Sequence, residues 1–193
     1  MEDIIITRVT QPLKRDLRHT VADLLAEAFA SDTAMIEMIG RSRWHSIRKT
    51  YFSVQLSHPD QFLLAWQGET LVAVLIATTP DAHFSFTAAV HQLIVMKRLL
   101  RQHYGESQQI ADQINQQVPA TKHTYINQLA VRPSCHGSGI GSRLLAELKS
   151  DSNATPVFVD CHQDLVAFYA RSGFVKTADV GTSGLVVMVN ENS

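Results

Sequence analysis

The stretch from Leu129 to Leu148, LAVRPSCHGSGIGSRLLAEL, leaves this chain few folds to choose from. An apolar strand runs into Pro133, then into a loop with glycines at 137, 139 and 141. An apolar helix follows, with Ile140, Leu144, Leu145 and Leu148 on one face. A strand that feeds a glycine-rich turn opening a helix makes an anion site out of backbone. The glycines remove Cβ atoms, the first-turn N–H groups have no intrahelical partner, and the helix dipole favours negative charge there. The ligand expected at this loop is a phosphate or pyrophosphate.

What the loop lacks narrows the choice. Without a GK[ST] ending it is not the triphosphate-binding P-loop, and Ser142 stands where the dinucleotide fingerprint needs its third glycine. The segment instead resembles the acetyl-CoA loop of the GCN5-related N-acetyltransferases, the GNAT superfamily. That loop follows a V-x-P strand end with [Q/R]-x-x-G-x-[G/A] and an apolar helix. The matching residues are Val131-Arg132-Pro133, then His136-Gly137-Ser138-Gly139-Ile140-Gly141, then Ser142 to Leu148. A second segment, PVFVDCHQDLVAFYARSGF from Pro156 to Phe174, is similar to the family's strand followed by N-x-x-[small]-x-x-[aromatic]-Y-x-x-x-G-F. Tyr169, Gly173 and Phe174 fall on the tyrosine, glycine and phenylalanine, and His162 falls on the asparagine. The resemblance implies an α/β (α+β) single-domain fold over residues 1–193, with a mixed central β-sheet flanked by helices.

Composition is consistent with one enzyme domain. The chain has 193 residues, 45% of them hydrophobic, enough for one sizeable core. A formal net charge of -1 gives no electrostatic reason to expect nucleic acid or an anionic membrane surface as partner. MEDIIITRV lacks the basic region of a signal peptide, and the longest apolar run, Leu71 to Ala77, is too short to span a bilayer. Two cysteines without CxxC spacing indicate reduced thiols, hence a cytoplasmic location and a chance sequon at Asn153-Ala154-Thr155.

Along the chain, Ile4 to Thr10 reads as a strand. Thr20 with Asp23 forms a capping box before a helical pattern, Val21, Leu24, Leu25, Ala28 and Phe29. Gly40 ends a short second helix, and a basic third helix runs from about Ser42 to Leu56. A hairpin spans Phe62–Trp66 and Leu71–Thr78. Helices at about Phe86–Gln102 and Glu106–Gln117 precede the strand His123–Val131. A hairpin of Val175–Asp179 and Leu185–Val189 closes the chain.

The resemblance also implies a mechanism: an amine attacks the thioester of acetyl-CoA directly, so the protein polarises a carbonyl and manages two protons. The strand from Tyr125 to Val131 is expected to splay from the next strand. Leu129, Ala130 and Val131 are then its cofactor-binding residues, with the main chains of Leu129 and Val131 pairing with the pantetheine arm. The amides from Gly137 to Ser142 hold the pyrophosphate. Tyr169 is the general-acid candidate, its alternative being a core aromatic. His136, in place of glutamine or arginine, is either a phosphate contact or an exposed loop residue. His162, in place of asparagine, keeps hydrogen-bonding capacity beside the cofactor.

The general base is open. Asn127 and Gln128 stand where many relatives carry a glutamate, and neither takes a proton at neutral pH. Asp160 is the nearest carboxylate in sequence and shares a strand face with His162. Its alternative role is to cap the next helix. Cys135-His136 and Cys161-His162 lack zinc-ligand spacing, so no metal is expected. The run Arg41, Arg43, His45, Arg48 and Lys49 reads as a solvated helix face, and the glutamines from 108 to 117 as a solvent-facing helix. His45, His83, His91, His103 and His123 carry no motif.

Two functional readings follow. One is an acetyl-CoA-dependent N-acetyltransferase acting on a primary amine of a small molecule or peptide, with neither nucleic acid nor membrane as partner; a homodimer is compatible with it. The other is a GNAT-like acyl-CoA-binding sensor or interaction module, supported by the missing carboxylate at Asn127 and Gln128. A third, an enzyme of another nucleotide cofactor, rests on the glycines alone.

Overall fold

The structure, a computed structural model, describes residues 3–56, 61–81, 86–151 and 155–191. His83 and the first two sequon residues, Asn153 and Ala154, lie outside them. Strand β1 (Ile4–Val9) is followed by helices α1 (Arg15–Ala28), α2 (Thr33–Ile39) and α3 (Arg41–Gln55). Strands β2 (Gln61–Gln67) and β3 (Thr70–Thr78) come next, then α4 (Phe86–Leu100) and α5 (Tyr104–Gln117). Strand β4 (Thr124–Val131), α6 (Ile140–Asp151), β5 (Val157–His162), α7 (Val166–Arg171), β6 (Val175–Val180) and β7 (Leu185–Asn190) complete the chain. The seven strands form one sheet in the order β1-β2-β3-β4-β5-β7-β6, antiparallel except where β4 meets β5. This is the mixed, helix-flanked sheet that the sequence implied.

Helices cover both faces, which is why β2 and β3 read as unbroken apolar runs rather than alternating ones. On one face α6 seats Ile140, Leu144, Leu145 and Leu148 against Leu63, Val72, Leu75, Val157 and Val159. Each such buried aliphatic side chain contributes about 1.5–3 kcal/mol of transfer free energy. On the other face α1 and α3 pack Leu24, Leu25, Trp44 and Phe52 over Phe62, Leu64 and Val74. A smaller cluster sets Ile110 and Ile114 of α5 against Phe158, Val180 and Val187.

Two local expectations change. The first helix begins at Arg15 rather than at Thr20, because the Thr20 hydroxyl donates to the Asp16 carbonyl 3.1 Å away instead of capping a terminus. The basic run on α3 is not simply solvated. Arg43 donates to the Leu99 carbonyl, Arg48 Nε to the Ala26 carbonyl at 2.9 Å, and Lys49 Nζ lies 2.5 Å from Asp23. These contacts tie α3 to α1 and to the end of α4. The end of α2 agrees with the sequence. Asp32 caps its start through the Met35 N–H at 2.7 Å, and Gly40, at φ 87°, ends it.

Candidate active site

The site begins where the sheet opens. β4 and β5 pair only over Thr124↔Val157, Tyr125↔Phe158 and Ile126↔Val159, after which they part. Asn127 and Asp160 are the first residues beyond the last pair. On the other side β4 stays paired with β3, with an irregularity between Ile76 and Ala77 opposite Asn127. The Arg132 N–H donates to the Val72 carbonyl on β3 at 2.8 Å. Strand alternation therefore turns the N–H and C=O groups of Leu129 and Val131 into the gap. Ala130 differs: its main chain faces Val74 on β3 and its side chain is buried against the α1–α3 layer. It does not face the gap.

Below the gap, the loop from Pro133 leads into α6. Gly137 and Gly139 adopt φ of 76° and 79°, a region costly for residues with a Cβ, and a Cβ at either would meet nothing within 4 Å. The open space in front of the backbone is therefore kept clear. The Ser138 N–H is used internally on the Cys135 carbonyl at 3.4 Å, as is its hydroxyl at 2.5 Å. The N–H groups of Gly137, Gly139, Ile140, Gly141 and Ser142 make no such bond. Gly141 has another role: a Cβ there would come within 3.2 Å of the Phe168 ring, so glycine lets α6 approach α7. Around these residues lies a cavity of about 440 Å³, walled also by Leu129, Val131, Leu165, Phe168 and Tyr169.

His136 lines this groove, yet its Nε2 lies 3.0 Å from the Val131 carbonyl. A neutral ring donating there presents a bare acceptor at Nδ1, and only the protonated ring has an N–H left for an anion.

A second cavity, of about 420 Å³, reaches the gap between α1–α3 and β5. Leu129, Leu165 and Tyr169 line both cavities, so the two meet at the Tyr169 side chain. Tyr169 is 5% exposed and packs edge-on against Phe168 and Phe174, with ring centroids 5.0 and 5.5 Å away. Burial, then the nearby Cys161 and Asp160, push its phenol well above the ordinary value, so it remains a hydrogen-bond donor.

Asp160 stands at the mouth of the gap. Its carboxylate accepts a hydrogen bond from the Tyr125 hydroxyl and caps no helix; the next turn is capped instead by His162, whose Nδ1 accepts from the Asp164 N–H at 3.5 Å. Burial raises the Asp160 carboxyl above the usual range, opposed in part by the Tyr125 bond. Cys161, the only thiol on this cavity among the described residues, is pushed up to about 12 by burial and the adjacent Asp160. A thiol so held stays protonated and is a poor acyl carrier. His162 lines the second cavity rather than the glycine-loop groove, its Nε2 only 3.2 Å from where a Cβ on Gly184 would sit.

Sequence reasoning missed Tyr125, Asp32 and Tyr51. Tyr125 meets Asp160 because parallel register sets it beside Phe158, two residues from Asp160 on the same face. Tyr51 of α3 and Asp32 at the α2 cap come from remote segments, and no local motif marks them. Burial raises the Tyr51 phenol, and the charges of Asp32 and Asp160 add to that. Among the described residues no group of three His, Cys, Asp or Glu side chains is placed to hold a metal, and no helix is long and apolar enough to cross a membrane.

Known proteins share this fold. Residues 106–190 match the family model described as an acetyltransferase (GNAT) domain. The chain resembles a Corynebacterium glutamicum structure described as histone acetyltransferase HPA2 and related acetyltransferase. It is 19% identical, with TM-score 0.61, covering 100% of this chain and 98% of that one. An acyl-CoA N-acyltransferase from Pseudomonas aeruginosa is 16% identical, with TM-score 0.58 and coverage of 97% and 99%. The PaiA N-acetyltransferase of Thermoplasma acidophilum, solved in complex with coenzyme A, is 15% identical, with TM-score 0.54 and coverage of 98% and 99%. A search of curated proteins gives no match. Residues 106–190 thus match a GNAT domain, and along its whole length the chain shares the fold of these structures.

Proposed function

We propose that this protein transfers the acetyl group of acetyl-CoA directly to a primary amine. The observation that carries the reading is the meeting of two cavities at Tyr169, one walled by unpaired loop amides, the other holding a carboxylate. The N–H groups of Gly137 and Gly139 to Ser142 hold the pyrophosphate, and the Leu129 and Val131 main chains pair with the pantetheine arm. The acceptor enters from the opposite side. Asp160, raised toward neutrality and oriented by Tyr125, takes a proton from the incoming ammonium. The amine nitrogen attacks the thioester carbon, the C–S bond breaks, and the second amine proton leaves the nitrogen for the departing sulfur, to which the Tyr169 hydroxyl donates a hydrogen bond. Because its phenol is raised, Tyr169 acts first as a donor that stabilises thiolate charge, rather than as a strong acid. With Cys161 protonated, no acyl-enzyme on that thiol is needed.

A sensor reading drew on the missing carboxylate at Asn127 and Gln128; Asp160 supplies one at the gap. Thiol release from acetyl-CoA across an amine panel tests the assignment. Amine-dependent release supports it, and acetyl-CoA binding without release for any amine would turn the reading to a binding module.

A further inference from the structure

β3 and β4 are antiparallel neighbours, a pairing that a loop of about 2–5 residues suffices to connect. Residues 79–123 stand between them instead, carrying α4 and α5. α4 packs on α3, and α5 on the outer strand β6. Together with α2 and α3 these two helices line a half-open chamber of about 400 Å³. Met35 and Tyr51 line both this chamber and the cavity that holds Asp160, so the two spaces adjoin. Hydrogen bonds mark the passage. Gln92 Nε2 donates to Gln55 Oε1 at 2.7 Å, and Gln55 Nε2 donates to the Tyr51 oxygen at 3.2 Å. The Tyr51 oxygen accepts there, which leaves its own O–H to donate to a bound molecule.

The two spaces differ in charge. The first is lined by Asp32, Asp160 and Asp164 and, among the described residues, by no lysine or arginine. Among the described residues the chamber is lined by no Asp, Glu, Lys, Arg or His; its walls set Gln55, Gln92 and Gln108 among Leu93, Met96 and Tyr104. A cation carried into it would lose hydration and find no carboxylate to offset that loss, whereas an amide chain would find both polar amides and apolar surface.

We propose that the acceptor amine is borne on an elongated, uncharged, amide-containing chain, in the simplest case a short peptide with a free amino group and uncharged side chains. Its amine end lies at Asp160, and its body passes Tyr51 into the chamber beneath α4 and α5. This rests on the acetyltransferase reading. The helical insert is then the specificity element, separate from the cofactor machinery.

The test uses alanine amides of one, two and three residues and a diamine as long as the tripeptide. Turnover is measured by thiol release, and binding to the CoA-loaded protein by calorimetry. For the wild type, kcat/KM and affinity should rise about tenfold or more from the shortest to the longest amide, with the diamine well below the latter. Ala111→Phe on α5 and, independently, Ala89→Phe on α4 fill the chamber from two sides and should collapse the long-to-short ratio toward one. Length-independent kinetics and binding in the wild type, a preserved ratio in both folded variants, or preference for the diamine would each overturn the proposal. Length-dependent binding without any turnover would support the chamber's role while refuting the acetyltransferase reading. Absence of binding by every amide would overturn the chamber's role.

Discussion

The glycine-loop groove and the cavity that holds Asp160 meet at one tyrosine yet are built on opposite plans. The groove is built mainly on one continuous segment, Leu129 to Ser142, with Leu165, Phe168, Tyr169 and Arg171 closing one side. The cavity gathers side chains from the α1–α2 connection, α3, β4, β5 and α7. A backbone site needs only the right φ values and absent Cβ atoms, which neighbouring residues dictate. A side-chain site needs the register of distant segments, which no single segment carries. The groove can therefore serve many acceptors, while the cavity and the chamber beside it are free to differ.

The contrast can be tested from its strongest side. Gly139→Asp forces a side chain into a φ of 79° and sets a carboxylate in the cleared space, so acetyl-CoA affinity should fall by about 100-fold or more. Unchanged calorimetric affinity in a folded variant would end the backbone-site account. Asp160→Asn lies on the other side of the contrast. Turnover should drop roughly 100- to 10,000-fold with acetyl-CoA affinity nearly kept, and the rise of kcat/KM with pH attributed to this carboxyl should vanish.

The same substitution has a stability signature. Asp160 is raised in the folded state, so its contribution to stability is complete below the ordinary carboxyl value and is lost as pH rises through the folded one. The variant should thus melt above the wild type at about pH 8, and the difference should close toward about pH 3. A variant less stable at the higher pH would remove Asp160 as a buried, raised carboxyl.

Tyr169→Phe preserves the ring contacts with Phe168 and Phe174 and removes the hydroxyl at the meeting point. Turnover should fall roughly 10- to 1,000-fold while acetyl-CoA binding changes little. Full turnover would leave Tyr169 as packing. The smallest effect belongs to His136→Gln. With Nε2 on the Val131 carbonyl, the neutral ring offers an anion nothing, so CoA affinity should stay within about threefold of the wild type. A larger loss would put the imidazole on the phosphates.

The same division explains what the sequence made legible. The strand, loop and helix around Gly137 and Gly139 could be read from local pattern alone, as could the hairpins and most helix limits. The start of α1 could not, because a threonine suited to capping bonds backward within the helix. The pairing of Tyr125 with Asp160 depends on where β4 and β5 stop being neighbours, and hydrophobic periodicity says nothing of that. Ala130 and His162 fall within the matched segments, but strand alternation turns the main chain of the first away from the gap, and the acceptor side receives the second. Tyr51 and the chamber under α4 and α5 lie largely outside those segments, in the half of the chain where no motif guided the reading.

Three residue pairs hold β4 to β5, and beyond them the sheet is cut into a four-strand half and a three-strand half. A ligand arm laid along Leu129 and Val131 bonds to the very edge this cut exposes, so it stitches the seam as well as occupying the groove. On the proposed function, cofactor loading is then a mechanical event. The two halves should exchange their amide hydrogens more slowly together than either does alone, and the acceptor, seated across the same seam, meets a sheet already made whole.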